Sequence, residues 1–180
     1  KRYGIEGGYV SSTEAIFYND PLEADLDLAE ELDGRRDYRQ VITVNPLLPG
    51  TCLQVRRAIR EIDVAGVRIL PGFHGYTLHA PELEALCEIL EEEKLPLFLT
   101  MRMEDMRVEY LMQSQEIYVW ELAGFLERHT GFPVLLCNTR TRELSWVSRV
   151  IESQNNVFTD VSGFKEGLFN MEQLHEAGYT

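Results

Sequence analysis

Apolar residues recur along this chain at two alternating spacings. Short runs rich in Val, Ile, Leu or Phe fall at 5–12 (IEGGYVSS), 40–46 (QVITVNP), 66–72 (GVRILPG), 95–102 (LPLFLTMR), 133–138 (PVLLCN) and 156–163 (NVFTDVSG). Several are almost continuously apolar, as strands are when helices cover both faces of a parallel sheet. Between the runs, apolar residues sit three and four apart, the period of a helix with one buried face.

The helical segments have recognisable starts and stripes. Asn19-Asp20-Pro21 supplies a cap and a first-turn proline before Leu22, Leu26, Leu28, Ala29 and Leu32. A second helix turns Cys52, Val55, Ile59 and Ile62 inward, with Gly66 at its exit. Pro81 opens a third, with Leu83, Leu86, Cys87 and Leu90 on its apolar face. Ile117, Trp120, Phe125 and Leu126 mark a fourth; Leu144, Val147, Val150 and Ile151 a fifth; Leu168, Met171 and Leu174 a sixth, over about 167–177. These stripes read as core.

Strand and helix thus alternate six times, and no linker or low-complexity tract divides residues 1–180, so a single α/β domain is expected. Each crossover is long enough to return a parallel strand. Two architectures fit, an open doubly wound sheet or six consecutive units of a (β/α)8 TIM-type barrel. No GxGxxG or GxxxxGK[ST] follows any strand, so the first lacks its phosphate-binding signature. Gly7-Gly8 reads as a place for close packing inside strand one.

Composition changes the picture in three ways. Thirty acidic residues against 17 basic ones give a formal net charge of −13, which repels phosphate backbones and argues against nucleic acid as a partner. The acidic excess lies mainly on two helical faces, 23–33 and 82–93, as solvated outer surface. No apolar run approaches the ~18 residues of a membrane span, and no signal peptide is recognisable. Cys52, Cys87 and Cys137 stand far apart without a CxxC pair, which suits a reducing compartment, and a cytoplasmic location is expected.

In either architecture ligands bind at the carboxyl ends of the strands. Those ends carry Ser11, Ser12 and Glu14; Asn45; His74 and Tyr76; Thr100, Arg102, Glu104, Asp105 and Arg107; Asn138, Thr139 and Arg140; Asp160, Ser162 and Lys165. The stretch MRMEDMR sets Arg102 and Arg107 around Asp105. It reads either as a bidentate clamp on an anionic substrate or as a local ion pair that pins the loop. His74 and Asp160 are candidates for moving protons; Asp160 equally suits holding the backbone of its own turn. Tyr76, Thr100 and Asn138 complete the candidate substrate-binding set. His79 reads as a helix-start residue, and His129 and His175 as helix-end residues. No Ser/His/Asp set and no GxSxG elbow can be assigned.

The ordered strand ends YVSSTEAIFYNDP, VITVNPLLPG, GVRILPGFHGY, LPLFLTMRMEDMR, PVLLCN and NVFTDVSG resemble the amidohydrolase-related metal-dependent hydrolases. The resemblance spans nearly the whole chain and is most specific in GVRILPGFHGY and LPLFLTMRMED. It implies barrel strands two to seven, with an HxH metal pair on a strand before Lys1 and a metal-binding acid on a strand after Thr180. Six strands alone would leave two long edges, a liability for an isolated monomer, and a homo-oligomer is one possible partner arrangement. The family usually ends strands five and six with His; here those places hold Thr100 and Asn138. The divalent metal it implies, such as zinc, therefore lacks its usual ligands in this chain, since Thr and Asn donate less strongly than imidazole.

The resemblance implies a hydrolase-like enzyme acting on a small anionic molecule at the mouth of the barrel. Arg102 and Arg107 would hold a carboxylate, His74 and Asp160 would move protons, and Thr100 and Asn138 would orient substrate or water. The alternative is a non-catalytic binder of small molecules or partners that has lost the metal-ligand histidines.

Overall fold

The computed structural model describes residues 6–103 and 115–164. The helix expected over 167–177, together with Glu104, Asp105, Arg107, Lys165 and His175, lies outside the described residues.

Six strands form one parallel sheet: β1 Gly8–Val10, β2 Tyr38–Thr43, β3 Val64–Ile69, β4 Leu97–Thr100, β5 Val134–Cys137 and β6 Val157–Thr159. The connections carry a 3₁₀ turn Glu14–Ile16 and the helices α1 Pro21–Glu31, α2 Thr51–Glu61, α3 Pro71–His74, α4 Pro81–Glu93, α5 Val119–Arg128 and α6 Thr141–Ser153. The strands lie side by side in sequence order, β1-β2-β3-β4-β5-β6. A doubly wound sheet reverses its strand order at a switch point; this one never does. The fold is a curled half-barrel, part of a TIM barrel.

Period-two alternation sorts the strand residues between two faces. Val67 and Ile69, Leu97 and Leu99, and Val134 and Leu136 join Leu86, Leu90, Phe125 and Val147 in the layer between sheet and helices. Cα partners in register share a face, and Thr43, Arg68, Phe98, Leu135 and Phe158 form one row across β2 to β6 on the opposite, inner side. Strands in a flat sheet are about 4.8 Å apart, which would set β1 and β4 roughly 14 Å apart. The rings of Tyr9 on β1 and Phe98 on β4 nevertheless meet edge to face with centroids 5.2 Å apart. The two side chains lean over β2 and β3 on the hollow side of a curled sheet.

Gly66 makes room for that contact. A Cβ there would lie 2.6 Å from the Phe98 ring and 3.0 Å from the Pro96 carbonyl oxygen. Gly66→Ala is expected to destabilise the protein by about 1–3 kcal/mol through overpacking, read as a lower urea midpoint. An unchanged midpoint would mean that the inner face is loose enough to absorb a methyl group.

Four expectations need correction. Gly66 lies within β3, and α2 instead exits through the extended Ile62. The third strand ends at Ile69 rather than running to residue 72. Pro71, with its φ fixed near the helical value, starts the turn α3, which Gly75 closes at φ +73°. Asp20 stands at the start of α1 but makes no side-chain cap; its Oδ1 accepts a hydrogen bond from the Gln54 side chain. Trp120 is 67% exposed. The buried face of α5 runs through Leu122, Phe125 and Leu126, and a residue two places before Leu122 projects from the other side. Trp120 stacks there on His79 and Tyr118, at 6.0 Å from each.

One buried acid went unnoticed in the sequence. Asp25 on α1 is 1% exposed and accepts the Thr43 backbone N–H at 3.2 Å through Oδ2. Oδ1 has no partner among the described residues. Burial raises the Asp25 pKa to about 7, against smaller opposing effects of Thr43 and Gln40. The three cysteines are unpaired. Among the described residues no helix is long and apolar enough to cross a membrane.

Candidate functional site

The strand ends form three polar groups at the carboxyl edge of the sheet. The first centres on Arg68, in the last turn of the pleat before β3 ends. Its side chain donates from Nε to Thr100 Oγ1 at 3.0 Å and from Nη1 to Ser11 Oγ at 3.1 Å. One guanidinium thus joins the ends of β1 and β4 across the inner face. It is partly buried, and among the described residues no carboxylate pairs with it. Sequence reasoning missed Arg68, although a lone charge inside the apolar run GVRIL was a signal. At period two, Arg68 falls on the opposite face from Val67 and Ile69.

The second group ties the loops after β4, β5 and β6 together. Arg102 donates from Nη1 to the Asn138 carbonyl at 2.6 Å and from Nη2 to Glu143 Oε1. Glu143 is 8% exposed, and its Oε2 accepts the Arg140 backbone N–H at the start of α6. Asn138 returns a bond from Nδ2 to the Arg102 carbonyl at 2.8 Å. Its backbone is left-handed at φ +56°, a conformation that Asn tolerates better than most residues. Asp160 accepts the Asn138 backbone N–H at 2.9 Å, the Ser162 backbone N–H at 3.3 Å and the Ser162 hydroxyl at 2.9 Å.

The third group joins the turn after β1 to α3. His74 Nε2 lies 3.2 Å from the Ile16 carbonyl oxygen, and Phe17 meets Phe73 edge to face at 5.6 Å. These contacts lock the turn after β1 against α3. Contact with a carbonyl makes Nε2 the protonated nitrogen, so Nδ1 carries the lone pair; Nδ1 is buried without a partner among the described residues. Burial lowers the His74 pKa, outweighing the opposing bond to Ile16. The ring is neutral at pH 7. Tyr76 stacks with it at 6.5 Å but belongs to the helix-side core, and its hydroxyl pKa is raised well above the usual value by burial.

The structure therefore gathers Thr100 with Arg68 and Ser11, and Arg102 with Asn138 and Asp160. His74 and Tyr76 stand apart. Cys137, in register with Thr100, is held at a pKa of about 11, mainly by burial and further by Asp160, with Arg68 acting the other way. A thiol so protonated is no nucleophile at neutral pH.

The donor set fits a divalent metal poorly. Among the described residues no three His, Cys, Asp or Glu side chains come together to hold one. Thr100 Oγ1 already accepts from a guanidinium 3.0 Å away, so a cation bound there would face a fixed positive charge. Asn138 points its amide nitrogen at the Arg102 carbonyl.

No family model and no curated protein matches the sequence. Solved structures do match in fold. A 2,6-dihydroxybenzoate decarboxylase from Rhizobium superposes with a TM-score of 0.63 at 16% identity, over 98% of this chain and 70% of its own. An uncharacterised TIM-barrel protein from Bordetella bronchiseptica gives 0.59 at 14%, over 87% of this chain and 54% of its own. A 5-carboxyvanillate decarboxylase from Novosphingobium aromaticivorans gives 0.58 at 17%, over 87% and 58%. At these identities the shared feature is the fold. The chain spans little more than half the length of the last two.

Proposed function

We propose that this chain forms the larger part of an amidohydrolase-type barrel whose mouth takes a small anionic molecule. In this reading the six strand ends bind and orient the molecule through hydrogen-bond donors and do not themselves hold a metal ion. The observation that carries it is the disposition of charge at the mouth. Asp160 and Glu143 are turned to backbone N–H groups and to Arg102, while the guanidinium of Arg68 meets only hydroxyls among the described residues. In a chain of net charge −13, that leaves a local site favouring anions.

Two of the matched structures lend support by name. One decarboxylates 2,6-dihydroxybenzoate; the other was solved with manganese and a hydroxy-methoxy-nitrobenzoic acid. An aromatic carboxylate is the ligand class carried over to this chain.

Arg102 serves this reading as a positioning residue rather than a clamp, since two of its nitrogens already hold the β4, β5 and α6 segments. A proton-moving role asks His74 to act through Nδ1 and Asp160 to release backbone partners. Those engagements favour the second reading, a binder without chemistry of its own.

Metal analysis separates these readings from metal-dependent hydrolysis. The 1–180 chain, purified without chelator, is expected to carry less than about a tenth of an equivalent of zinc or manganese. A stoichiometric metal that survives gel filtration would overturn the metal-free reading.

A further inference from the structure

We infer that Arg68, Ser11 and Thr100 form a receptor for the carboxylate of a monoanionic ligand with an apolar body. The inference rests on the mouth being a ligand site and names the groups that would recognise the ligand.

The argument starts from hydrogen-bond valence. A guanidinium carries five N–H donors. Here Nε is spent on Thr100 and one Nη1 hydrogen on Ser11, while Nη2 bonds to none of the described residues. Each hydroxyl accepts from the guanidinium, so each keeps its own O–H to donate. Among the described residues neither Ser11 Oγ nor Thr100 Oγ1 donates to anything. The result is a cluster of donors around one positive charge, with no acceptor to answer them among the described residues. A carboxylate supplies two oxygens with about four acceptor sites, enough for most of these donors, and charge-assisted bonds are the stronger kind.

Charge and surroundings choose the anion. One guanidinium and two neutral donors balance a single negative charge. Inorganic phosphate is partly dianionic near neutral pH, and its second charge would be left uncompensated. The ligand's body would meet apolar surface. In the row that contains Arg68, the next three residues are Phe98, Leu135 and Phe158, and Tyr9 lies against Phe98. Phe98, the nearest of them, lies in the strand next to Arg68, so apolar surface begins directly beside the charged group.

The site is also pre-formed. The contact of His74 with Ile16 and of Phe73 with Phe17 fixes the turn that follows Ser11, and Thr100 is buried at the end of β4. Donors held in place before binding cost little ordering entropy when the ligand arrives.

The test is an NMR titration of the ¹⁵N-labelled full chain with benzoate, benzamide and inorganic phosphate. Benzoate is expected to shift the amide resonances of Ser11 and Thr100 to saturation, with benzamide and phosphate at least roughly tenfold weaker. Arg68→Met is expected to weaken benzoate by roughly tenfold or more, and Arg68→Lys by less, because it keeps the charge but loses the fork. Ser11→Ala, at a strand end with few packing duties, is the second variant and is expected to lose a few-fold in affinity should Arg68→Met not fold.

Benzoate affinity unchanged in Ser11→Ala and in Arg68→Met, with shifts still at the strand ends, would overturn this receptor and leave the mouth as the ligand site. Phosphate binding more tightly than benzoate would overturn the carboxylate assignment. No strand-end shift with any of the three probes would overturn both the receptor and the reading beneath it.

Discussion

Replacing Asp25 by Asn is expected to stabilise the protein at pH 8 by up to about 4 kcal/mol and to have little effect at pH 4. Burial raises this carboxyl from its ordinary 3.8 to about 7 in the folded state. Between those values the native protein holds a proton that the unfolded chain has lost, so stability falls as pH rises. The contribution is whole below about 3.8 and is gone once pH passes about 7. A change of that size corresponds to roughly 4 kcal/mol at about 1.4 kcal/mol per tenfold in proton affinity. Asn keeps an acceptor for the Thr43 N–H and never ionises. Urea unfolding from pH 4 to pH 8 reads the difference. Parallel profiles for the two proteins would show that Asp25 reaches water and titrates normally.

Arg102→Met is expected to cost about 3–5 kcal/mol, the usual consequence of leaving one half of a buried ion pair behind. Glu143 would keep its charge at 8% exposure with only the Arg140 N–H to answer it. The Asn138 carbonyl would lose its donor as well. Adding Glu143→Gln, which keeps the cap on α6, should recover much of the loss, because no buried charge then goes unpaired. Thermal or urea midpoints of the four proteins form a double-mutant cycle. A coupling energy near zero would mean that the pair is solvated. Benzoate affinity in the folded fraction should change far less than in Arg68→Met, which separates the residue that positions loops from the one that meets the ligand.

Both residues mark where sequence reading fell short. The alternation of strand and helix, the stripes Leu83–Leu86–Leu90 and Leu144–Val147, and the order of the strand ends were all legible, because periodicity is local. Asp25 sits three residues after Leu22 and one before Leu26, squarely on the inward face. A rule that sends acids outward passes over it, and only the neighbouring β2 backbone explains its place. Arg68 was visible as a charge in an apolar run, yet its partners are 57 and 32 residues away. The Arg102–Glu143 pair is 41 residues apart, whereas MRMEDMR offers carboxylates close at hand. A separation of that length leaves no trace in local spacing. Trp120 failed for a different reason: bulk and hydrophobicity suggested core, while its angular position on α5 put it outside.

The strand order has a consequence for how the molecule is made. Every strand pairs only with the one before it and the one after it, so each new β-α unit docks on a surface already finished by its predecessor. Among these six strands none must wait for a distant one, as the central strand of a doubly wound sheet must. The ribosome, which delivers the N-terminal segment first, supplies the units in the order of assembly, and the sheet can grow by accretion as the chain emerges. The inner face is different: the bonds of Arg68 to Ser11 and Thr100, like the contact of Tyr9 with Phe98, close only after β4 has arrived. On that account the ligand-facing groups would be among the last parts of the sheet's inner face to take their final places.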